Sequence, residues 1–156
     1  MKKKKIKKIY LHEQLPIKYK WFDCHPYLED HDKVHASNDC SVRSLCKVTG
    51  YDWQSVYNKL FKVAKEMKAM PDSIRVITKV AEEYGFKKFE KISCCAAAFM
   101  LTHPNGKYII ELEDHMFAYI DGVMYDSVNG KVLKKSEIEY EILQDVAAVY
   151  YTSEEI

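Results

Sequence analysis

The N-terminal half of the chain carries apolar residues at helical spacing. They recur every three or four positions in residues 38–50, 53–68 and 71–85, which is the period of one helix face. Asp52 stands where an N-cap residue is favoured, and Gly85 is a typical C-terminal stop. The pattern therefore predicts three amphipathic helices that pack through their apolar faces.

The C-terminal half has the shorter patterns of β-structure. Residues 107–113, 115–120 and 123–127 are rich in β-branched and aromatic side chains, and Asp121-Gly122 between the last two is a strong hairpin signal. Residues 145–152 predict a further buried or edge strand. Helices followed by strands predict an α+β fold in which N-terminal helices pack on a C-terminal antiparallel sheet.

The remaining segments are less regular. Residues 8–11 and 86–92 predict short strands, and residues 93–101 predict a short buried helix capped by its first residue, a serine. Residues 136–144 fit either a turn of helix or a loop. The stretch between residue 11 and the first helix shows no clean period, so we expect an irregular segment packed on the body.

Length and composition indicate one ordinary globular domain. Residues 1–156 are 47% apolar, enough for a single core. Residues 1–8 contain six lysines and predict a solvated basic tail; the alternative is a weak, salt-sensitive arm for phosphate groups. The net charge of +1 gives no argument for a specific nucleic-acid partner.

The chain carries no pattern for export or membrane insertion. No run approaches the ~20 apolar residues of a membrane span, and no apolar segment follows the N-terminal lysines as it would in a secretory signal. The five cysteines are an odd number without regular spacing, which suits reduced thiols better than a disulfide framework. We therefore expect a cytoplasmic protein without a membrane partner.

Cys40 stands at the predicted start of the first helix, after the favoured N-cap residues Asn38 and Asp39. A thiol in the first turn of a helix faces the positive end of the helix dipole, which stabilises the nucleophilic thiolate. Cys40 is therefore a candidate nucleophile. The alternative is a small buried apolar residue at a capped helix start, a common role for a free cysteine.

The predicted hairpin brings a histidine and a carboxylate together. His115 opens its first strand and Asp126 closes its second, so a tight turn places both at the open end. A cysteine, a distant histidine and a following acid are the parts of a thiol-nucleophile triad. Asp114 would point to the opposite face of a regular strand, and Asp121 lies in the turn. The alternative is that His115 is a structural residue of an apolar strand.

A zinc site is a further alternative in the segment that ends at Cys40. Cys24, His25, His31 and His35 precede it, and Zn²⁺ accepts Cys and His in a tetrahedral shell. The spacing matches no standard zinc motif, and no Cys-x-x-Cys pair is present. We therefore predict no metal and no other cofactor. Surface histidines are the simpler interpretation, with His31 or His35 at the mouth of the thiol site as a third option.

Two stretches carry features of a known family. One is Asn38-Asp39-Cys40 at the start of a helix, and the other is a strand, a glycine turn and a strand ending in aspartate over residues 115–126. Together they resemble papain-like cysteine peptidases of the compact bacterial and phage kind. The resemblance covers about residues 35 to 127 and implies a papain-like fold.

The resemblance also implies roles for individual residues. Cys40 would be the nucleophile, His115 the base and Asp126 the group that orients the base. Papain-like enzymes usually place a glutamine before the nucleophile to bind the oxyanion, but Val34-His35 stands there. Asn38 and the Cys40 backbone amide are the available substitutes.

Three functions remain open. The first is a thiol hydrolase, a peptidase or isopeptidase acting on a protein or peptide substrate through an acyl-enzyme. The second is a deamidase or transglutaminase-like acyltransferase on the same scaffold. The third is a catalytically inactive papain-like binding module. The resemblance also allows a phage-encoded protein, and we would then expect the host cytoplasm as its location. The sequence predicts neither the substrate nor the oligomeric state.

Overall fold

The computed structural model of the chain describes residues 17–26, 39–128 and 130–152, which form a mixed α+β structure. The helices are α1 (Cys40–Thr49), α2 (Trp53–Met67), α3 (Ile74–Glu83), α4 (Ala96–Thr102) and α5 (Lys135–Ile142). The strands are β1 (Lys18–Trp21), β2 (Lys87–Lys88), β3 (Lys107–Glu111), β4 (Met116–Ile120), β5 (Val123–Asp126) and β6 (Ala148–Thr152).

These strands form one sheet in the order β1-β5-β4-β3-β6-β2. The three strands predicted at hairpin spacing are present as β3, β4 and β5, and neighbours pair antiparallel. β6 lies between β3 and β2 and is antiparallel to both. The last predicted strand is therefore an interior strand of the sheet.

β1 corrects the expectation of a purely antiparallel sheet. It pairs parallel with β5, with Trp21 opposite Asp126. The strand falls in the segment predicted to be irregular, because its four residues alternate polar and aromatic side chains without an apolar run. Its pairing depends on an edge supplied by β5, which local sequence cannot indicate. The strand predicted at residues 8–11 lies outside the described residues.

The three N-terminal helices are confirmed, with one difference in capping. The Asp52 side chain accepts a hydrogen bond from the Ser55 backbone N–H at 2.8 Å at the start of α2, and Ser73 caps α3. Gly50 ends α1 with φ of +80°, a conformation that glycine adopts without strain. Asp39 precedes α1, but its carboxylate makes no capping hydrogen bond.

Helices cover both faces of the sheet. α1, α2 and α3 pack on one face around buried residues such as Leu45, Val56 and Val76. α4 and α5 pack on the opposite face against residues such as Phe117 and Val149. None of the helices described here is long and apolar enough to cross a membrane.

The C-terminal helices differ in detail from expectation. α4 starts after Cys95, so the serine at position 93 does not cap it. The Ala96 backbone N–H instead donates to the Gln144 carbonyl at 2.9 Å, a long-range contact that sets the start of the helix. Residues 135–142 are helical, so the segment for which the sequence allowed either a helical turn or a loop begins as a helix. The strand predicted over residues 86–92 is limited to the two residues of β2.

The hairpin of β4 and β5 positions two of the predicted site residues. Asp121 and Gly122 form its turn with φ of +47° and +83°, the left-handed pair that a two-residue hairpin turn requires. β5 ends at Asp126, and β4 begins at Met116, so His115 immediately precedes its strand. Both residues therefore lie at the open end of the hairpin.

Candidate active site

Cys40 is the first residue of α1 and lies half-buried at the wall of a cleft. The first helical hydrogen bond of α1 runs from the Arg43 N–H to the Asp39 carbonyl at 2.8 Å. Backbone N–H groups before Arg43 in the first turn have no intrahelical acceptor. Such groups can donate hydrogen bonds to an oxyanion that forms beside the thiol.

His115 lies between Cys40 and Asp126. Its Nε2 is 2.6 Å from Asp126 Oδ2, and the neighbouring Cys40 side chain is among the groups that raise its pKa. Since Nε2 faces the carboxylate, Nδ1 is the nitrogen left for the thiol. The structure thus brings together the cysteine, the histidine and the aspartate proposed from the sequence.

The Asp126 carboxylate is buried and held from several sides. The residue is 1% exposed. Its Oδ1 accepts hydrogen bonds from Arg43 Nη2 at 3.1 Å and from the Ser127 backbone N–H at 2.8 Å. Its backbone carbonyl accepts a further hydrogen bond from the Tyr19 hydroxyl at 2.7 Å. These contacts fix the carboxylate, and the carboxylate in turn orients the His115 ring.

The protonation of His115 follows from its two partners. Burial by itself lowers the pKa of His115, because it disfavours the charged imidazolium. The hydrogen bonds and the charges of Asp126 and Cys40 act in the opposite direction and raise the pKa from 6.5 to about 10. These partners therefore favour the charged imidazolium over the neutral ring. An imidazolium beside a thiol is the environment that stabilises a thiolate.

Arg43 is a site residue that sequence reasoning did not identify. It is 4% exposed, and its guanidinium joins Asp39 Oδ1 at 2.7 Å to Asp126 Oδ1 at 3.1 Å. Its Nη2 also donates to the Ser127 carbonyl at 3.1 Å. The signal was an arginine four positions after an aspartate at the start of an amphipathic helix, since a buried arginine needs an anionic partner.

Asp39 connects this network to α2. Its Oδ2 accepts a hydrogen bond from Trp53 Nε1 at 2.9 Å. The indole ring stacks on Tyr57 with 4.6 Å between centroids, and His25 meets it edge-on at 4.7 Å. The carboxylate oxygens of Asp39 bind Arg43 and Trp53, and the side chain does not cap α1 as predicted.

An open cleft of about 270 Å³ lies in front of the thiol and the imidazole. Its walls come from the start of α1, from Asp72 and Ile77 at α3, and from residues 111–116 between β3 and β4. Asp126 is not among the lining residues. A ligand in the cleft can therefore reach Cys40 and His115, while the aspartate stays behind the imidazole.

The other sequence candidates fall in different places. Asn38, His31 and His35 lie outside the described residues. The neighbouring Cys24 thiol together with burial raises the pKa of Cys46. Within residues 17–26, 39–128 and 130–152, no group of three or more His, Cys, Asp or Glu residues is arranged to hold a metal ion.

Asp126 is the carboxylate that binds His115 Nε2, and the two alternative aspartates have other surroundings. Asp121 Oδ1 accepts a hydrogen bond from the Gly106 backbone N–H at 2.8 Å. Asp114 is exposed in the turn before β4 and lines the cleft. Asp126 is thus the carboxylate that contacts the imidazole.

A reachable thiol, an imidazole in the same cleft and a buried carboxylate behind the imidazole are the groups needed to form and hydrolyse a thioester. No family model, no curated protein and no solved structure matches the chain.

Proposed function

We propose that the protein is a thiol-dependent hydrolase that cleaves peptide or isopeptide bonds through an acyl-enzyme on Cys40. The observation that carries the proposal is that Cys40 and His115 line one cleft, while His115 Nε2 is held by Asp126 Oδ2 at 2.6 Å. Asp126 lies behind the imidazole and is not among the residues that line this open cleft. The resemblance of the sequence to papain-like cysteine peptidases supports the same activity.

In the first half of the reaction, the Cys40 thiolate attacks the carbonyl carbon of the scissile amide. A carbon–sulfur bond forms, and the carbonyl oxygen becomes an oxyanion that the backbone N–H groups at the start of α1 can stabilise. The intermediate collapses as the carbon–nitrogen bond breaks. His115 gives its proton to the leaving amine, so a thioester on Cys40 and a neutral imidazole remain.

In the second half, water replaces the amine. The neutral His115 imidazole takes a proton from water as the oxygen attacks the thioester carbon. Collapse of this second intermediate breaks the carbon–sulfur bond and releases a carboxylic acid. The thiolate and the imidazolium are restored, and Asp126 holds the ring in the same orientation throughout.

Two observations favour a catalytic role over a purely structural one. The His115 side chain is 18% exposed and lines the cleft, while Asp126 is 1% exposed behind it. A buried ionic network stabilises a fold no better than apolar packing of the same volume. Here the network lies behind a reachable thiol, and the pKa of His115 is strongly raised. Both features fit a site that transfers protons.

The pH dependence of alkylation tests the thiol–imidazole pair. Cys40 labelling by iodoacetamide is followed by peptide mass spectrometry in the wild type and in His115→Ala. We expect Cys40 to react at pH 6 about tenfold or more faster than an ordinary thiol, whose pKa is near ~8.5. The His115→Ala variant should lose this reactivity.

The chain supplies two controls for that experiment. His103→Ala removes a histidine that stacks on Phe99 at 3.9 Å between centroids and does not line the cleft, so Cys40 labelling should not change. The Cys94 thiol in the same sample reports on general reagent reactivity. If His115→Ala leaves Cys40 labelling unchanged at every pH, the proposed pair is wrong.

Turnover is tested with a proteome-derived peptide library. New peptide N-termini that appear with the wild type and not with Cys40→Ala establish hydrolysis of peptide bonds. Release of ammonia without new N-termini would show that the same thiol hydrolyses side-chain amides instead of peptide bonds. An activated Cys40 that yields neither product would contradict the hydrolysis of peptide bonds.

A further inference from the structure

Acidic side chains surround the candidate nucleophile. Those that line the cleft are Asp72, Glu111, Glu113 and Asp114. Three of them are exposed and Glu111 is half-buried, and none of the cleft-lining residues that the structure describes is a lysine or arginine. The one cation in the lining is His115, which Asp126 already pairs. A ligand entering the cleft therefore meets a negative surface that favours a positive charge.

Glu111 adds a buried acceptor that lacks a donor. It is the last residue of β3, and its Oε2 is shielded from solvent and accepts no hydrogen bond from any residue that the structure describes. Burial raises the pKa of Glu111, and the charge of Lys88 offsets this only in part. A buried carboxylate oxygen without a donor is costly, and a ligand with N–H groups would supply the missing partner.

Apolar side chains accompany this acidic lining. Ile77 from α3 and Leu112 and Met116 from the β3–β4 connection also line the cleft. Lysine and arginine side chains match such a surface, because an apolar stem carries their charged head. A small inorganic cation would gain nothing from the apolar part of the lining.

We propose that the cleft selects substrates with a lysine or arginine side chain beside the carbonyl that Cys40 attacks, and that Glu111 binds the charged head. The proposal rests on the hydrolase function proposed above and names its substrate class. The exposed carboxylates of Glu113 and Asp114 add to the attraction but are screened by salt. Glu111 is the specificity-determining residue, because its carboxylate is the one withdrawn from solvent.

Matched covalent reagents test this selection without a known substrate. The reagents are N-acetylated lysyl, norleucyl and glutamyl chloromethyl ketones, in which the Cys40 thiolate displaces chloride and forms a thioether. Norleucine keeps the lysine stem and lacks the ammonium group. We expect the lysyl reagent to label Cys40 of the full chain about 10- to 100-fold faster than the norleucyl reagent, the range typical of a hydrogen bond to a charged group. The glutamyl reagent should be slowest.

Two charge-neutralising variants locate the effect. Glu111→Gln keeps the shape of the side chain and should bring the lysyl-to-norleucyl rate ratio to within about threefold of one, an order-of-magnitude expectation for loss of a charge-assisted bond. Glu66→Gln removes the same charge from an exposed position on α2 that does not line the cleft. It should leave the ratio at its wild-type value.

The outcomes separate this proposal from the hydrolase proposal. If the norleucyl and lysyl reagents label Cys40 equally fast and both need His115, the hydrolase proposal stands and the cationic selectivity is overturned. If the ratio is high but unchanged in Glu111→Gln, the role of Glu111 is overturned. A Cys40 that no reagent labels, or labels independently of His115, overturns both proposals.

Discussion

Arg43 Nη2 lies 3.1 Å from Asp126 Oδ1, so the helix that carries Cys40 also holds the carboxylate that orients His115. The two residues are 83 positions apart in the chain. The guanidinium meets Asp39 at its other end. The nucleophile and the base are therefore fixed relative to each other by one buried network.

Replacing Arg43 tests how much the fold depends on this network. Arg43→Met should lower the free energy of unfolding by about 3–5 kcal/mol, because Asp39 and Asp126 would remain buried without their cation. Arg43→Lys should lie between the wild type and Arg43→Met, since one ammonium group cannot reproduce the forked contacts of a guanidinium. Urea unfolding measures all three proteins.

The other arginine of the chain provides the matched control. Arg75 is exposed on α3, so Arg75→Met should change the free energy of unfolding by no more than about 0.5 kcal/mol. An Arg43→Met loss as small as that of Arg75→Met would show that the contacts with Asp39 and Asp126 do not stabilise the fold.

The raised pKa of His115 predicts a pH-dependent stability. Because the folded pKa of about 10 lies above the ordinary value of 6.5, the folded state binds this proton more tightly than the unfolded state. The resulting stabilisation is fully present below pH 6.5 and is lost as the pH rises towards 10. The stability advantage of the wild type over His115→Gln should therefore decrease across this range, as urea unfolding at each pH can measure.

Direct observation of the imidazole supplies the control. NMR titration of the wild type should show His115 protonated at pH 8. Asp126→Asn should move its pKa down, because a carboxylate that hydrogen-bonds the imidazolium is removed. A wild-type ring that titrates near 6.5, or one unaffected by Asp126→Asn, would rule out the ion pair described here.

The turn between β4 and β5 is expected to tolerate little change at Gly122. Its φ of +83° is unfavourable for alanine. Packing is not the obstacle, because the added Cβ would lie at an ordinary contact distance of 3.6 Å from the Pro104 carbonyl oxygen. Gly122→Ala should thus cost about 1 kcal/mol through backbone strain alone. Gly122→Asn should cost less, since asparagine adopts this conformation more readily. Thermal unfolding would distinguish the two.

Gly50 has nearly the same backbone conformation, with φ of +80° and nothing within 4 Å of an added Cβ. Gly50→Ala should therefore lose about as much stability as Gly122→Ala. A Gly122→Ala loss several times larger would mean that packing at the turn, and not φ, limits the residue there.

Local sequence was sufficient for the elements that carry the site. The apolar period placed Cys40 at a helix start, although Asp39 does not cap that helix, and Asp121-Gly122 placed His115 and Asp126 at one end of a hairpin. These predictions succeed because helix periods, caps and two-residue turns depend on interactions within a few positions of the chain.

The sequence by itself determined the α+β class, the three N-terminal helices and the hairpin. The tertiary structure decided that α1 meets the end of β5, that β1 joins the sheet in parallel and that Asp39 binds Arg43 and Trp53 instead of capping its helix. Each of these depends on pairing between distant segments, which propensity and periodicity do not encode. The acidic cleft beside the thiol has the same origin, because its walls come from α1, α3 and the β3–β4 connection.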